Sequence, residues 1–216
     1  PVRPGLFDTN GAMALEDGVN FTIHTCYGTS CELLLFHLGS DQPYAVLPFP
    51  ESYRVGDVYS MIVFGLKIEE FEYAYRIDGP YDPKNGLIFN KNSILLDPYA
   101  RTVTGQKDWG VKKEHFYHAR VVKDTFDWGE TPQSTKELSD LVIYELHVRG
   151  FTKHHTSGVT HKGTFAGLME KIPYLKELGI NAVELMPIFE FDENMNAREI
   201  DGKKLLDYWG YNTVGF

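Results

Sequence analysis

Leu141-Val142-Ile143-Tyr144-Glu145-Leu146-His147-Val148, answered further on by Ile180-Asn181-Ala182-Val183-Glu184-Leu185-Met186 and Pro187, is the stretch that decides the fold. Both runs are short, apolar and rich in β-branched residues, and turn or breaker residues bound them, as expected of strands. Between them Phe165, Leu168, Ile172, Leu175 and Leu178 recur at spacings of three and four, so they share one helical face, and Gly179 supplies the stop. Pro173 removes one amide donor and is expected to bend this helix. A strand, a crossover helix and a second parallel strand close right-handedly against a sheet whose other strands are not in this sequence. The unit looks like the opening of a barrel.

Upstream the grammar is different. Val19, Phe21 and Ile23 alternate with polar residues, and Glu32-Leu33-Leu34-Leu35-Phe36 follows a Gly28-Thr29-Ser30 turn. Asp57 to Val63 and Glu72 to Ile77 are further strands, the latter ended by Asp78-Gly79-Pro80. Short strands about ten residues apart, with no helical period, predict a small antiparallel sandwich. From Tyr81 to roughly Asp140, Pro, Gly and Asn punctuation breaks the pattern, which predicts a connection wrapped over the surface and hence two domains.

Composition sets limits. With 43% hydrophobic, 14% aromatic and 24% charged residues among 216, the chain can bury a core. A net charge of -9 opposes binding to phosphate backbones and anionic membranes, because such binding relies on Lys and Arg. There is no apolar run of about 18 residues and no apolar leader core after Pro1-Val2-Arg3-Pro4-Gly5, so a cytoplasmic protein is expected. Cys26 and Cys31 read as two free thiols, since two Cys without clustered His do not make a zinc site. Glu190, Asp192 and Glu193 form an acidic cluster for which calcium is conceivable, with a solvated loop the preferred reading. No metal and no cofactor are expected.

Ile143-Tyr144-Glu145-Leu146-His147-Val148-Arg149-Gly150-Phe151-Thr152 resembles the first barrel strand of glycogen debranching enzymes and isoamylases of the alpha-amylase superfamily. Gly163-Thr164-Phe165-Ala166-Gly167, then Leu175 to Pro187, then Tyr208-Trp209-Gly210-Tyr211-Asn212, follow in that family's order. Gly18-Val19-Asn20-Phe21, Tyr75-Arg76-Ile77-Asp78-Gly79-Pro80-Tyr81 and Leu95-Leu96-Asp97-Pro98-Tyr99-Ala100 resemble the β-sandwich module that precedes the barrel. The resemblance implies an all-β immunoglobulin-like sandwich followed by the first β-α-β part of a TIM (β/α)8 barrel, incomplete in this chain. Its boundaries are a glycogen- or starch-binding-like module over 1–110, a connecting segment over 111–140 and the barrel fragment over 141–216. The implied activity is retaining hydrolysis of α-1,6-glucosidic branch points in glycogen or related α-glucans.

Such hydrolysis needs two carboxyl groups about 5 Å apart. In the family these carboxyls come from later barrel strands, so no catalytic residue is assigned here and the fragment alone is expected to be inactive. Tyr211 matches the tyrosine that stacks on the sugar at the cleaved position, with Tyr208 and Trp209 beside it in the loop after the second strand; an aromatic face offers apolar area to the C–H side of a pyranose. His147 and Arg149 at the end of the first strand can also reach such a site. In the sandwich no tryptophan precedes Trp109, and Tyr59, Tyr73 and Tyr75 read as core or inter-domain packing. The expected partner is glycogen or another branched α-glucan. Open barrel faces are expected to drive self-association or partial disorder. Two alternatives stay open, a noncatalytic glycan-binding or docking module and a pullulanase or branching-enzyme relative, although Arg-Gly-Phe-Thr leans against branching enzymes.

Overall fold

The computed structural model describes residues 1–104, 108–111, 117–130, 135–195 and 197–215. The chain divides into two compact units, Pro1–Thr125 with Val214–Phe216, and Phe126–Thr213.

Among the described residues of the first unit the strands are β1 (Val2–Pro4), β2 (Gly11–Ala14), β3 (Gly18–His24), β4 (Ser30–His37), β5 (Pro43–Pro48), β6 (Arg54–Val55), β7 (Val58–Phe64), β8 (Phe71–Asp78), β9 (Tyr81–Asp82), β10 (Leu87–Ile88), β11 (Thr102–Thr104) and β12 (His118–Arg120). One antiparallel sheet has the order β1-β7-β3-β2, with β6 also on β7; the other runs β11-β12-β8-β4-β5. Val19, Phe21 and Ile23 of β3 and Tyr59, Met61 and Val63 of β7 meet Leu33 and Leu35 of β4 and Phe71, Tyr73, Tyr75 and Ile77 of β8 in one apolar core. The alternation predicted in the sequence is thus a sandwich-like arrangement, in which every second side chain turns inward. Tyr59, Tyr73 and Tyr75 are core residues, fully buried.

The opposite faces of these strands are covered too, and differently. On β3 and β7, Asn20, Thr22 and Ser60 are buried and polar, and they bind the backbone of the Gly5–Leu6 segment: Leu6 N–H donates to Asn20 Oδ1 at 2.8 Å and Thr22 Oγ1 donates to Leu6 O at 3.0 Å. A Cβ on Gly5 would collide with Ser60 Oγ, so glycine lets this covering segment lie flat. On β4 and β8, Leu34, Phe36 and Ala74 form a second apolar cluster against Ile94. Here His118 stacks on Phe36 at 3.8 Å and its Nδ1 lies 3.0 Å from Glu72 Oε2, a buried polar pair inside an apolar cover.

The stretch expected as a surface connection is partly structural. Leu95 and Tyr75 exchange two backbone hydrogen bonds of 2.8 Å, and Ala119 of β12 pairs with Tyr73, so both segments share the free edge of β8. An edge strand with unpaired amides and carbonyls recruits such partners even from sequence without strand alternation. Asp97 is buried, accepting from Tyr73 Oη and from Tyr99 N–H, both at 2.8 Å. Of the expected connection over 111–140, residues 112–116 and 131–134 lie outside the described residues.

In the second unit, β13 (Ile143–Leu146) is followed by α1 (Val148–Lys153), α2 (Phe165–Met169), α3 (Ile172–Glu177) and β14 (Ala182–Leu185), and a hairpin of β15 (Arg198–Ile200) and β16 (Lys203–Leu205) lies further on. β13 and β14 pair in parallel, from Ile143 opposite Ala182 to Leu146 opposite Leu185. Two local expectations need correction. The first strand ends at Leu146 rather than Val148, because His147 caps a helix there: its Nδ1 accepts from Gly150 N–H at 3.0 Å. The helix expected to bend at Pro173 is two helices, with Pro173 in the first turn of α3, where a missing amide costs no intrahelical bond. Thr164 caps α2 by accepting from Gly167 N–H at 3.1 Å. Leu175 is buried, while Phe165, Ile172 and Leu178 on the same predicted face are about half exposed.

Candidate functional site

In the second unit the ends of the parallel strands and the Asp207–Asn212 turn come together around His147. Asp207 starts the turn: its Oδ1 accepts from Trp209 N–H at 3.0 Å and Gly210 N–H at 3.2 Å, and its own N–H donates to Glu193 O at 2.8 Å. An aspartate bonding to amides two and three residues on is a self-sufficient turn. Gly210 sits at φ +77°, and a Cβ there would press on the Phe191 ring, so glycine carries the reversal. Asn212 Nδ2 closes the turn by donating to Asp192 O at 3.1 Å.

His147 organises the aromatic residues. Its ring stacks on Tyr208 at 4.5 Å and meets the Trp209 edge at 5.8 Å, and Tyr208 and Trp209 are edge to face at 5.2 Å. Nε2 lies 2.9 Å from Tyr208 O while Nδ1 accepts from Gly150 N–H. An accepting Nδ1 and a donating Nε2 define the neutral imidazole with its proton on Nε2. Gly150 is the fourth part of this seat, since a Cβ there would strike Tyr208 Oη.

The three residues singled out in the sequence therefore lie on one turn but differ in presentation. Tyr208 and Trp209 have faces and edges engaged with His147, whereas Tyr211 is 69% exposed. Arg149 lies within α1, not at a strand end. The role of His147 as organiser was missed, although its capping signal, a polar residue directly after an apolar strand and three before glycine, points there. Asp207 was likewise legible as an Asp two residues before the turn's Trp.

Elsewhere, the carboxylates of Glu190, Asp192 and Glu193 do not form a convergent ligand group among the described residues, and Glu193 is buried. Cys26 and Cys31 are free thiols, the first exposed and the second buried with its pKa raised by that burial. A group that sequence reading passed over does converge in the first unit: His24, Cys26 and Asp57. Among the described residues no helix is long and apolar enough to cross a membrane.

The first unit is a two-sheet antiparallel arrangement and the second carries a parallel strand pair with an aromatic turn. Residues 10–100 match carbohydrate-binding module 48, the isoamylase N-terminal domain. The chain is 37% identical to isoamylase 1, chloroplastic, of Oryza sativa subsp. japonica over 95% of its own length and 26% of that protein's. It is 33% identical to the glycogen debranching enzyme of Serratia proteamaculans over 99% of its own length and 33% of that protein's. Its fold matches pullulanase type I from Bacillus subtilis complexed with maltose at a TM-score of 0.68 and 23% identity, over 98% of this chain and 28% of that one. Over nearly its whole length the chain is similar to part of isoamylases and glycogen debranching enzymes, and residues 10–100 match the isoamylase N-terminal domain. It spans between a quarter and a third of these relatives.

Proposed function

We propose that the chain is the front part of a glycoside hydrolase that cleaves α-1,6 branch points of glycogen or a related α-glucan with retention. In this reading the first unit is an immunoglobulin-like accessory module. The second is the first β-α-β part of a (β/α)8 barrel, whose carboxylates lie on strands that this chain does not carry. The observation that supports it most is the turn held by His147, which sits at the ends of two parallel strands, the side of a barrel on which active sites form. Tyr211 offers its exposed ring to a glucose residue, with Tyr208 and Trp209 on the same turn.

Affinity electrophoresis in glycogen tests this reading. Tyr211→Ala should weaken retardation about tenfold, of the order expected for one lost aromatic contact, at unchanged thermal stability. No reducing sugar should be released from glycogen by the chain alone. Retardation that Tyr211→Ala leaves untouched would favour a second reading, a glycan-binding sandwich. Tyr44 supports that alternative, because it stacks on His37 at 4.5 Å while staying 45% exposed, as a sugar platform would. A reducing, cytoplasmic location belongs to the same proposal and rests on the unpaired Cys26 and Cys31; cell fractionation checks it.

A further inference from the structure

His24 and Cys26 lie two positions apart and Asp57 is distant in sequence, yet all three meet at one end of the first unit. His24 is the last residue of β3 and pairs with Val58, the first of β7. Asp57 belongs to the two-residue turn between β6 and β7, where Gly56 takes φ +59°. Thr25 N–H donates to Asp57 O at 2.8 Å, so the backbones carrying the three side chains are fastened to one another and not left to a loose loop. The imidazole, thiol and carboxylate ligand atoms all lie within 4.8 Å of one another, and Cys26 Sγ is 3.9 Å from His24 Nε2.

We propose that His24, Cys26 and Asp57 bind a zinc-class divalent cation, with His24 nitrogen, Cys26 thiolate and an Asp57 oxygen as ligands and solvent in the fourth position. Tetrahedral zinc with bonds of about 2.0–2.3 Å places its ligand atoms roughly 3.3–3.7 Å apart. The Cys26–His24 distance of 3.9 Å is close to that value, and the remaining gap is within side-chain rotation, His24 and Cys26 being exposed. One soft thiolate beside a borderline imidazole selects zinc over calcium or magnesium, which take oxygen ligands only. As the metal–sulfur bond forms, the thiol proton passes to solvent.

Arg54 is the competing group. Its Nη2 lies 3.7 Å from Asp57 Oδ1, but its Nε also donates to Gly56 O at 2.8 Å and its Nη1 to Tyr59 Oη at 3.1 Å. It therefore keeps its place when one Asp57 oxygen turns to a metal, and the other oxygen can remain with it. The proposal does not depend on the proposed glucan chemistry.

The test is calorimetric titration of zinc chloride into the full 216-residue chain, reduced and freed of metal. The expected result is one zinc per chain, with a higher unfolding midpoint at saturation. Cobalt(II) in its place should give a sulfur-to-cobalt charge-transfer band, and Cys26 is the only thiol exposed to supply it. Cys26→Ser should abolish that band and weaken zinc binding roughly tenfold or more, and His24→Ala and Asp57→Asn should each weaken it too. His24 and Cys26 are exposed, so the metal-free unfolding midpoint should stay at the wild-type value in their variants. The absence of a thiolate band with cobalt, or zinc binding by Cys26→Ser at wild-type affinity, overturns the proposal; the second result would place the metal elsewhere, for instance at the adjacent His154 and His155 rings.

Discussion

In the first unit β4 is buried on both faces, Leu33 and Leu35 in the inter-sheet core and Leu34 and Phe36 under the Ile94 cover, whereas in the second unit Ile143 of β13 and Val183 of β14 remain 55% and 42% exposed. Both pairs of strands carry apolar side chains of similar kind. What differs is covering material. The sandwich recruits the Gly5–Leu6 segment, the Leu95 segment and β12 to close its outer faces and edges. The parallel pair has helices with only Leu175 and a few neighbours buried, and parallel sheets are stable when both faces are covered. Similar strand sequences thus yield a closed domain or an open one according to what packs on the second face.

The largest expected effect breaks or upholds this contrast directly. Phe21→Ala, deep in the sandwich core, should cost about 3–5 kcal/mol in urea unfolding, while Val183→Ala should stay within about 0.5 kcal/mol. Comparable losses for both would mean that β14 is as well packed as β3.

Next in size is Tyr73→Phe, which strips a donor from buried Asp97 and should cost about 1–3 kcal/mol. Burial holds the Asp97 carboxyl above the usual carboxylate range, against the lowering effect of the Tyr99 amide and the Tyr73 hydroxyl. The folded state therefore binds this proton more tightly than the unfolded chain does. Its contribution to stability is full below the ordinary carboxylate pKa and is lost as pH rises through the raised folded value. Asp97→Asn should flatten that part of the stability–pH curve, and an unchanged slope would show that Asp97 is not its source.

A milder effect sharpens the other side. The exposed Phe165, Ile172, Leu178 and Val183 should make the chain self-associate with rising concentration, seen as a growing mass in light scattering. Smallest of all, Gly150→Ala should displace the Tyr208 ring and change the near-ultraviolet circular dichroism of Trp209, with a stability change below about 1 kcal/mol because alanine favours the helix that it enters.

How much could be read beforehand follows the same division. Val19, Phe21 and Ile23 declared a half-buried strand by alternation, and the parallel pairing of residues 143–146 with 182–185 followed from a helix between two apolar runs. Asn20, Thr22 and Ser60 were illegible as buried residues, because their partner is the backbone of a segment distant in sequence. His118 and β12 escaped notice for a similar reason: a three-residue strand is made by the edge that it joins, not by its own propensity. Pro173 was noticed, but whether proline bends one helix or begins another is set by the capping bonds around it. At the candidate site the aromatic motif was visible and its organiser was not, since His147 contacts Tyr208 across 61 positions of sequence. The His24, Cys26 and Asp57 group was hidden in the same way, by a turn that only the β3–β7 register brings alongside.

The most direct test of the central contrast is native-state hydrogen exchange on the whole chain, read by mass spectrometry. Amides of β3, β4, β7 and β8 should exchange only through global unfolding of their unit, and those of β13, β14 and α3 through far cheaper local opening, orders of magnitude faster. Equal protection in the two sets would contradict the account, because it would mean that the parallel strand pair is already as closed as the sandwich.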